Sequence, residues 1–197
     1  TRVRSSAASD VYKRQLMADC LAADGNFGVV LISRGPEVGG GDQRVSLGTE
    51  AHIEQASPFP DGRWTLIARG VRRIAVQRWL PDDPYPLGIV RSLPAHQGDV
   101  DPSYVQRTTA AVRRARALLS ELGDTPPLAN DASAISPGTQ SHALAESIWQ
   151  LCASAPLGAL DRQRLLEIDD CTQLLSTLEH LCTGLAADLH KILSDDG

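Results

Sequence analysis

Phe27-Gly28-Val29-Val30-Leu31-Ile32 is a continuous apolar run without a charge and with β-branched content. That pattern predicts a strand buried on both faces rather than one alternating between core and water. The same signal returns at short spacing: residues 44–56, 63–69 and 72–80, and a last short run near 88–93, each read as strands. Pro60-Asp61-Gly62 lies between two of them, and its glycine can take the positive φ that a tight hairpin needs. Gly70 marks a bulge or tight bend, and residues 33–42 form a loop. Short strands so closely spaced predict a compact β-barrel or sandwich over residues 16–97.

Working outward, residues 16–23 suit the end of a helix that Asp24-Gly25 stops. Residues 1–15 are polar, show no apolar period and lead into no cleavable apolar core, so they read as a non-native leader in front of the fold. Downstream the composition changes near residue 98, and residues 98–197 read as a helical half. Asp101-Pro102 is a good helix start, the carboxylate capping free amides and the proline occupying the first turn. That helix buries Val105, Val112, Leu119 and Leu122 and runs towards Gly123. Residues 124–139, rich in Pro, Ser, Gly and Asp, are a flexible loop. A second helix holds Leu144, Ile148 and Leu151, Pro156 and Gly158 break the chain, and residues 160–168 form a short third helix. The last helix aligns Leu174, Leu178, Leu181, Leu185, Leu189 and Ile192 in one packing stripe.

Composition excludes whole classes of function. The 197 residues are 42% hydrophobic and 22% charged, enough for one core or two small ones. No apolar stretch approaches the roughly 18 residues that a membrane-spanning helix needs. Aromatic residues make up only 4%, too few for base stacking, and a net charge of -5 gives no general attraction to phosphate. Nucleic acid is therefore a poor partner. The two lysines, Lys13 and Lys191, follow Tyr12 and His190, so neither completes a phosphate-binding Walker A loop. Gly39-Gly40-Gly41-Asp42 lacks both fingerprint spacing and a lysine and reads as a structural loop.

Cys20, Cys152, Cys171 and Cys182 show no CxxC spacing, which predicts buried reduced thiols, no zinc site and a cytoplasmic setting. His52, His96, His142, His180 and His190 include no HExxH pair and read as surface or partner-satisfied residues, and no GxSxG elbow is present. No catalytic residue, metal or cofactor is expected. Arg107, Arg113, Arg114 and Arg116 form a basic cluster, read as a solvated face in a half that carries 14 acidic and 7 basic residues. Trp64, Trp79 and Tyr85 are the more informative group. Two of them flank Leu80-Pro81-Asp82-Asp83-Pro84-Tyr85-Pro86, although core packing is the simpler role for scarce aromatics.

The ordered set Phe27 to Ile32, Arg34-Gly35, Glu37 to Asp42, Gly48-Thr49, Pro60 to Trp64, Gly70 with Arg73, and Trp79 to Pro86 resembles the N-terminal substrate-binding domain of the Lon protease family. The likeness is strongest to the short stand-alone proteins of actinobacterial type. It continues through Trp149 to Leu151, Pro156-Leu157-Gly158 and Leu160 to Leu166, and covers nearly all of residues 16–193. The resemblance implies an α+β fold, a PUA-like β-barrel followed by a helical bundle. It implies a non-catalytic role, holding unfolded or extended polypeptide, with a protease or chaperone as further partner.

Full-length relatives add an ATPase module and a serine-lysine dyad, for which this chain has no matching lysine. Family domains open on a Pro- and Phe-containing strand that the leader replaces, so a first strand is expected to be missing. Its neighbour would then expose unpaired amides and carbonyls and lower the solubility. The binding surface expected from the resemblance is an apolar groove including Trp79, Leu80 and Tyr85, with main-chain pairing to an exposed strand edge as a second mode. Two other readings stay open at this point: an RNA-binding PUA-like module using Arg113 and Arg114, and a fragment of a complete ATP-dependent protease.

Overall fold

A computed structural model of the chain describes residues 7–35, 42–60, 63–94, 100–123 and 141–195, the side chains of 7–11, 141–143 and 195 excepted. The Gly39–Gly41 loop, the Asp61-Gly62 turn and the loop at 124–139 lie outside the described residues. The chain divides into two compact units, residues 1–94 and 95–197, a division close to the change in composition read near residue 98.

The first unit opens with helix α1 (Ala7–Ala22). It starts well before residue 16, inside the polar stretch 1–15, because no glycine or proline interrupts the chain between Ala7 and Ala23. Its end is set by Gly25. The Gly25 N–H donates to the Cys20 carbonyl at 2.9 Å, and the glycine takes the left-handed φ of +74° that closes a helix C-terminus.

Four strands follow, β1 (Asn26–Arg34), β2 (Gln43–Pro58), β3 (Trp64–Trp79) and β4 (Gly88–Ser92). They pair antiparallel in the order β1-β2-β3-β4. Residues 63–69 and 72–80, read as two strands, are one. In the register Glu50 faces Arg72 and Ala51 faces Gly70, so Val71 is the extra residue of a bulge. The bulge interrupts the pattern without ending the strand.

The expectation of a doubly buried strand at Phe27–Ile32 is corrected. Among the described residues β1 stands at the sheet edge with β2 as its one neighbour, and Val29 is 49% exposed. An apolar run thus reports contact with an apolar surface, here a cavity wall, and not coverage on both faces.

Close approach of β1 to β2 depends on Gly48. The Val29 carbonyl and the Val30 side chain occupy the space that a Cβ on Gly48 would need. Met17, Cys20 and Ile53 form a small core between α1 and the β2–β3 hairpin, with Leu16, Phe27, Ala56 and Trp64 packed against it.

The second unit is helical: α2 (Pro102–Glu121), α3 (Ser141–Ser154), α4 (Ala159–Leu166) and α5 (Cys171–Asp195). The Asp101 carboxylate accepts from the Ser103 N–H at 2.8 Å and Pro102 takes the first turn, as the sequence predicts. The face that α2 buries is Thr108, Val112 and Ala115, while Leu122 at the C-cap is 36% exposed.

On α5 the buried stripe is likewise turned from the leucine ladder. Cys171, Leu174, Leu175, Leu178, Cys182, Ala186 and Leu189 are buried, whereas Ile192 is 49% exposed. Small residues let α5 approach its neighbours closely, and a leucine count overlooks them. The core of this unit joins these residues to Val112, Ala115, Ile148, Leu151 and Leu165. Thr108 is fully buried there, and its hydroxyl donates to the Leu175 carbonyl at 3.3 Å.

Candidate apolar cavity of the sheet unit

The first and last strands of the sheet line one cavity of about 640 Å³, so the sheet curls, and among the described residues β1 and β4 do not pair with each other. Ile74, 3% exposed, and Val76 form the floor on β3. Phe27, Val29, Val30 and Ile32 of β1, from both faces of the strand, and Gly88 and Val90 of β4 also line it. Val29 and Val90 are each about half exposed although apolar. Helix α1 contributes Tyr12, Leu16 and Cys20.

The Pro-rich turn between β3 and β4 supplies Tyr85, Pro86 and Leu87, and Trp79 stands where β3 leads into it. Its Asp83–Pro84 peptide is cis. The Leu80 N–H donates to the Leu87 carbonyl at 2.9 Å, which closes the base of the turn. The Tyr85 hydroxyl donates to Asp19 Oδ2 at 2.8 Å. That hydrogen bond to a carboxylate, with burial and the Asp19 charge adding to it, pushes the phenol up to about 12. Arg44 stacks on the Trp79 ring, 5.0 Å from its centroid. The guanidinium is tied to Asp42 and, at 3.7 Å, to Asp82, so its charge is spent within the wall.

Of the three residues picked from the sequence, Trp79 and Tyr85 line the cavity, and Leu80 holds the turn through its backbone without lining it. Trp64 belongs elsewhere, packed against the Met17, Cys20 and Ile53 core. Sequence reasoning passed over the lining role of Ile74, Val76, Val90 and Tyr12. Ile74 and Val76 do carry a signal, the period-2 spacing of a strand face. Asp19 carries none, because its partner is 66 residues away.

The basic cluster on α2 is partly engaged. Arg107 pairs with Glu179 at 3.3 Å and stacks on Tyr104, and Arg116 donates to the Ser154 carbonyl, leaving Arg113 and Arg114 exposed. His52 Nδ1 lies 3.0 Å from Asn26 Oδ1. All four cysteines are buried thiols. Burial pushes Cys152 up to about 12 and Cys182 up to about 11, which makes both poor nucleophiles. Among the described residues no group of three or more His, Cys, Asp or Glu could hold a metal ion. No described helix is long and apolar enough to cross a membrane.

Among the described residues the cavity has apolar walls and lies between two strand edges that do not pair with each other, a shape suited to a ligand. Comparison with known proteins is specific on the same point. A family model described as the ATP-dependent protease La (LON) substrate-binding domain matches residues 6–183. The chain belongs to this family.

The match spans both units and most of the chain. Among solved structures, a Lon N-terminal domain protein from Xanthomonas campestris is 27% identical with a TM-score of 0.55, covering 83% of this chain and 80% of that one. The N-terminal domain of a Lon protease from the Mycobacterium avium complex is 15% identical with a TM-score of 0.55, covering 94% of this chain and 88% of that one, and it bears on the fold alone. No curated protein sequence matches. The α+β architecture expected of a Lon N-terminal domain is the one observed, among the described residues an antiparallel sheet with one helix in the first unit and four helices in the second.

Proposed function

We propose that this Lon-type substrate-binding domain recognises unfolded or extended polypeptide, holds it in the apolar cavity of the sheet unit, and catalyses nothing itself. The observation that carries the reading is the exposure of Val90 and Trp79 in the lining of a cavity that also includes the buried Ile74. Apolar side chains left half exposed around a concave floor mark a surface awaiting an apolar partner. A folded globular partner has few such side chains to offer, whereas an unfolded chain presents them in series. Trp79 and Tyr85 add aromatic area at one end, where the Tyr85 hydroxyl is already satisfied by Asp19. Weak binding is expected, because an unfolded ligand gives up conformational entropy as it docks. A protease or chaperone that takes over the held chain is the further partner this role calls for.

Titration with casein as an unfolded ligand, followed by NMR, tests the reading. Shifts should concentrate on Val76, Val90, Ile74 and the Trp79 indole. An unchanged spectrum at high casein concentration overturns it.

A further inference from the structure

Every residue of β4 is exposed, so each of its two faces is open to a partner. Gly88 and Val90 line the cavity. Side chains alternate along a strand, which puts Ile89 and Arg91 on the opposite face. In the register Arg78 faces Ile89 and Ala75 faces Arg91, and Gln77 is the extra residue of a bulge. Arg78 therefore shares the face of Ile89 and Arg91. Leu47 continues the row beyond Ala75. The outer face of the β3–β4 ribbon thus carries two arginines beside an isoleucine that is 40% exposed, with Ala75 and Leu47 next to them.

The pairing of arginines sets this face apart. The other arginines of β2 and β3 are all engaged: Arg44 with Asp42 and Asp82, Arg69 with Glu54, Arg72 with Glu50, and Arg73 with the Pro94 carbonyl. Arg78 and Arg91 are exposed and have no ion-pair or hydrogen-bond partner among the described residues. Strand spacing of about 4.8 Å and a rise of about 3.4 Å per residue set their Cα atoms about 8 Å apart. In an extended peptide, side chains two residues apart share one face at about 6.8 Å. Two carboxylates so spaced can each meet one guanidinium, while a neighbouring apolar side chain covers Ile89.

Resting on the reading under Proposed function only for the class of ligand, an extended polypeptide, we propose that this face is a second docking surface, separate from the cavity, for an acidic segment with carboxylates at alternate positions. Charge complementarity to Arg78 and Arg91 selects the segment and its register, and contact with Ile89 adds apolar area. A nucleic acid is the poorer match. Two cations neutralise only two phosphates, the five residues named include no aromatic ring for stacking, and the chain as a whole carries a charge of -5.

The test uses a synthetic peptide containing Glu-Ser-Glu-Ser-Leu, its Gln-Ser-Gln-Ser-Leu counterpart and a single-stranded oligouridylate, with casein as reference ligand. Binding to the full chain is read from amide resonances. At low salt the glutamate peptide should bind about fivefold more tightly than the glutamine peptide, as two exposed ion pairs allow. It should shift the Arg78, Ile89 and Arg91 amides and leave those of Leu16 and Phe27, in the cavity lining, in place. The preference should vanish in the Arg78→Gln/Arg91→Gln double variant and persist in Arg113→Gln/Arg114→Gln, which removes two exposed cations from α2. Both variants change exposed side chains alone, and a retained amide spectrum shows that they fold.

A preference that survives Arg78→Gln/Arg91→Gln, or that is lost equally in the α2 variant, overturns the proposal. Tighter binding of the oligouridylate than of the glutamate peptide at the same two arginines overturns it as well. If casein shifts the cavity residues while the glutamate peptide binds nowhere, the cavity reading stands and this surface falls. If the glutamate peptide docks on Arg78 and Arg91 while casein leaves the cavity residues unshifted, this surface stands and the cavity reading falls.

Discussion

Tyr85 and Asp19 meet through a 2.8 Å hydrogen bond that joins the Pro-rich turn after β3 to helix α1. Both elements line the cavity, so this bond sets how far the turn stands from the helix. Tyr85→Phe keeps the ring and removes the bond. The variant should be about 1 kcal/mol less stable. Amide exchange at Leu80, whose N–H closes the base of the turn on Leu87, should quicken. Hydrogen exchange and thermal melting check both, and an unaltered Leu80 amide would show that the turn holds itself.

The same bond predicts weakening at alkaline pH. Tyr85 titrates in the folded protein at about 12, and Cys152 and Cys182 at about 12 and 11. Unfolded, tyrosine and cysteine lose their protons near ~10 and ~8.5. The unfolded chain therefore releases protons first, and each group's contribution is intact below its unfolded pKa and lost as pH rises through the folded one. Denaturant midpoints should fall steadily from about pH 9 to pH 12. In Tyr85→Phe the slope above pH 10 should be shallower, and the difference in tyrosinate absorbance between the two proteins should isolate the late-titrating phenol.

In the helical unit the stripe on α5 separates residues that a sequence pattern treats alike. Leu178 is fully buried and Ile192 is 49% exposed, although both belong to the same leucine ladder. Leu178→Ala should cost about 2–5 kcal/mol through lost burial and the cavity left behind. Ile192→Ala should stay within about 0.5 kcal/mol. Urea unfolding monitored by helical circular dichroism measures both, and equal costs would mean that α5 is rotated from the orientation described.

The contrast shows what was legible in the sequence. Strand positions, the Asp101 cap and the helix stop at Gly25 were readable because each is a local signal, a period or a residue with one conformational use. The depth of burial on α5 was not, because Cys182 and Ala186 earn their buried places from neighbours and not from hydrophobicity. Phe27–Ile32 is a strand without two covered faces, since an apolar run looks the same against a core and against a cavity. Trp79 and Tyr85 drew notice as scarce aromatics beside prolines, and the cavity lies at that point. The contact between Asp19 and Tyr85 could not be placed from sequence, because it exists only once the sheet has curled.

Gly48 and Gly70 both lie in the β2–β3 ladder, yet they should respond oppositely to a methyl group. A Cβ on Gly48 would collide with the Val29 backbone carbonyl and the Val30 side chain, whereas one on Gly70 would meet the Thr49 Cγ2 methyl at 3.2 Å. Neither glycine has a positive φ, so the difference is one of space alone. Backbone cannot step aside as a side-chain methyl can, and Gly48→Ala must push β1 away from β2, at about 1–3 kcal/mol. Gly70→Ala trades mild crowding against the roughly 0.5–1 kcal/mol that glycine forfeits in a strand, and should come out near neutral. Because β1 is one wall of the cavity, Gly48→Ala should also weaken casein binding and move the Gly28 and Val30 amides, effects that Gly70→Ala should not share. Urea midpoints and amide shifts of the two variants decide it: if Gly48→Ala proves as stable as the parent with β1 unmoved, the close register between β1 and β2 is wrong.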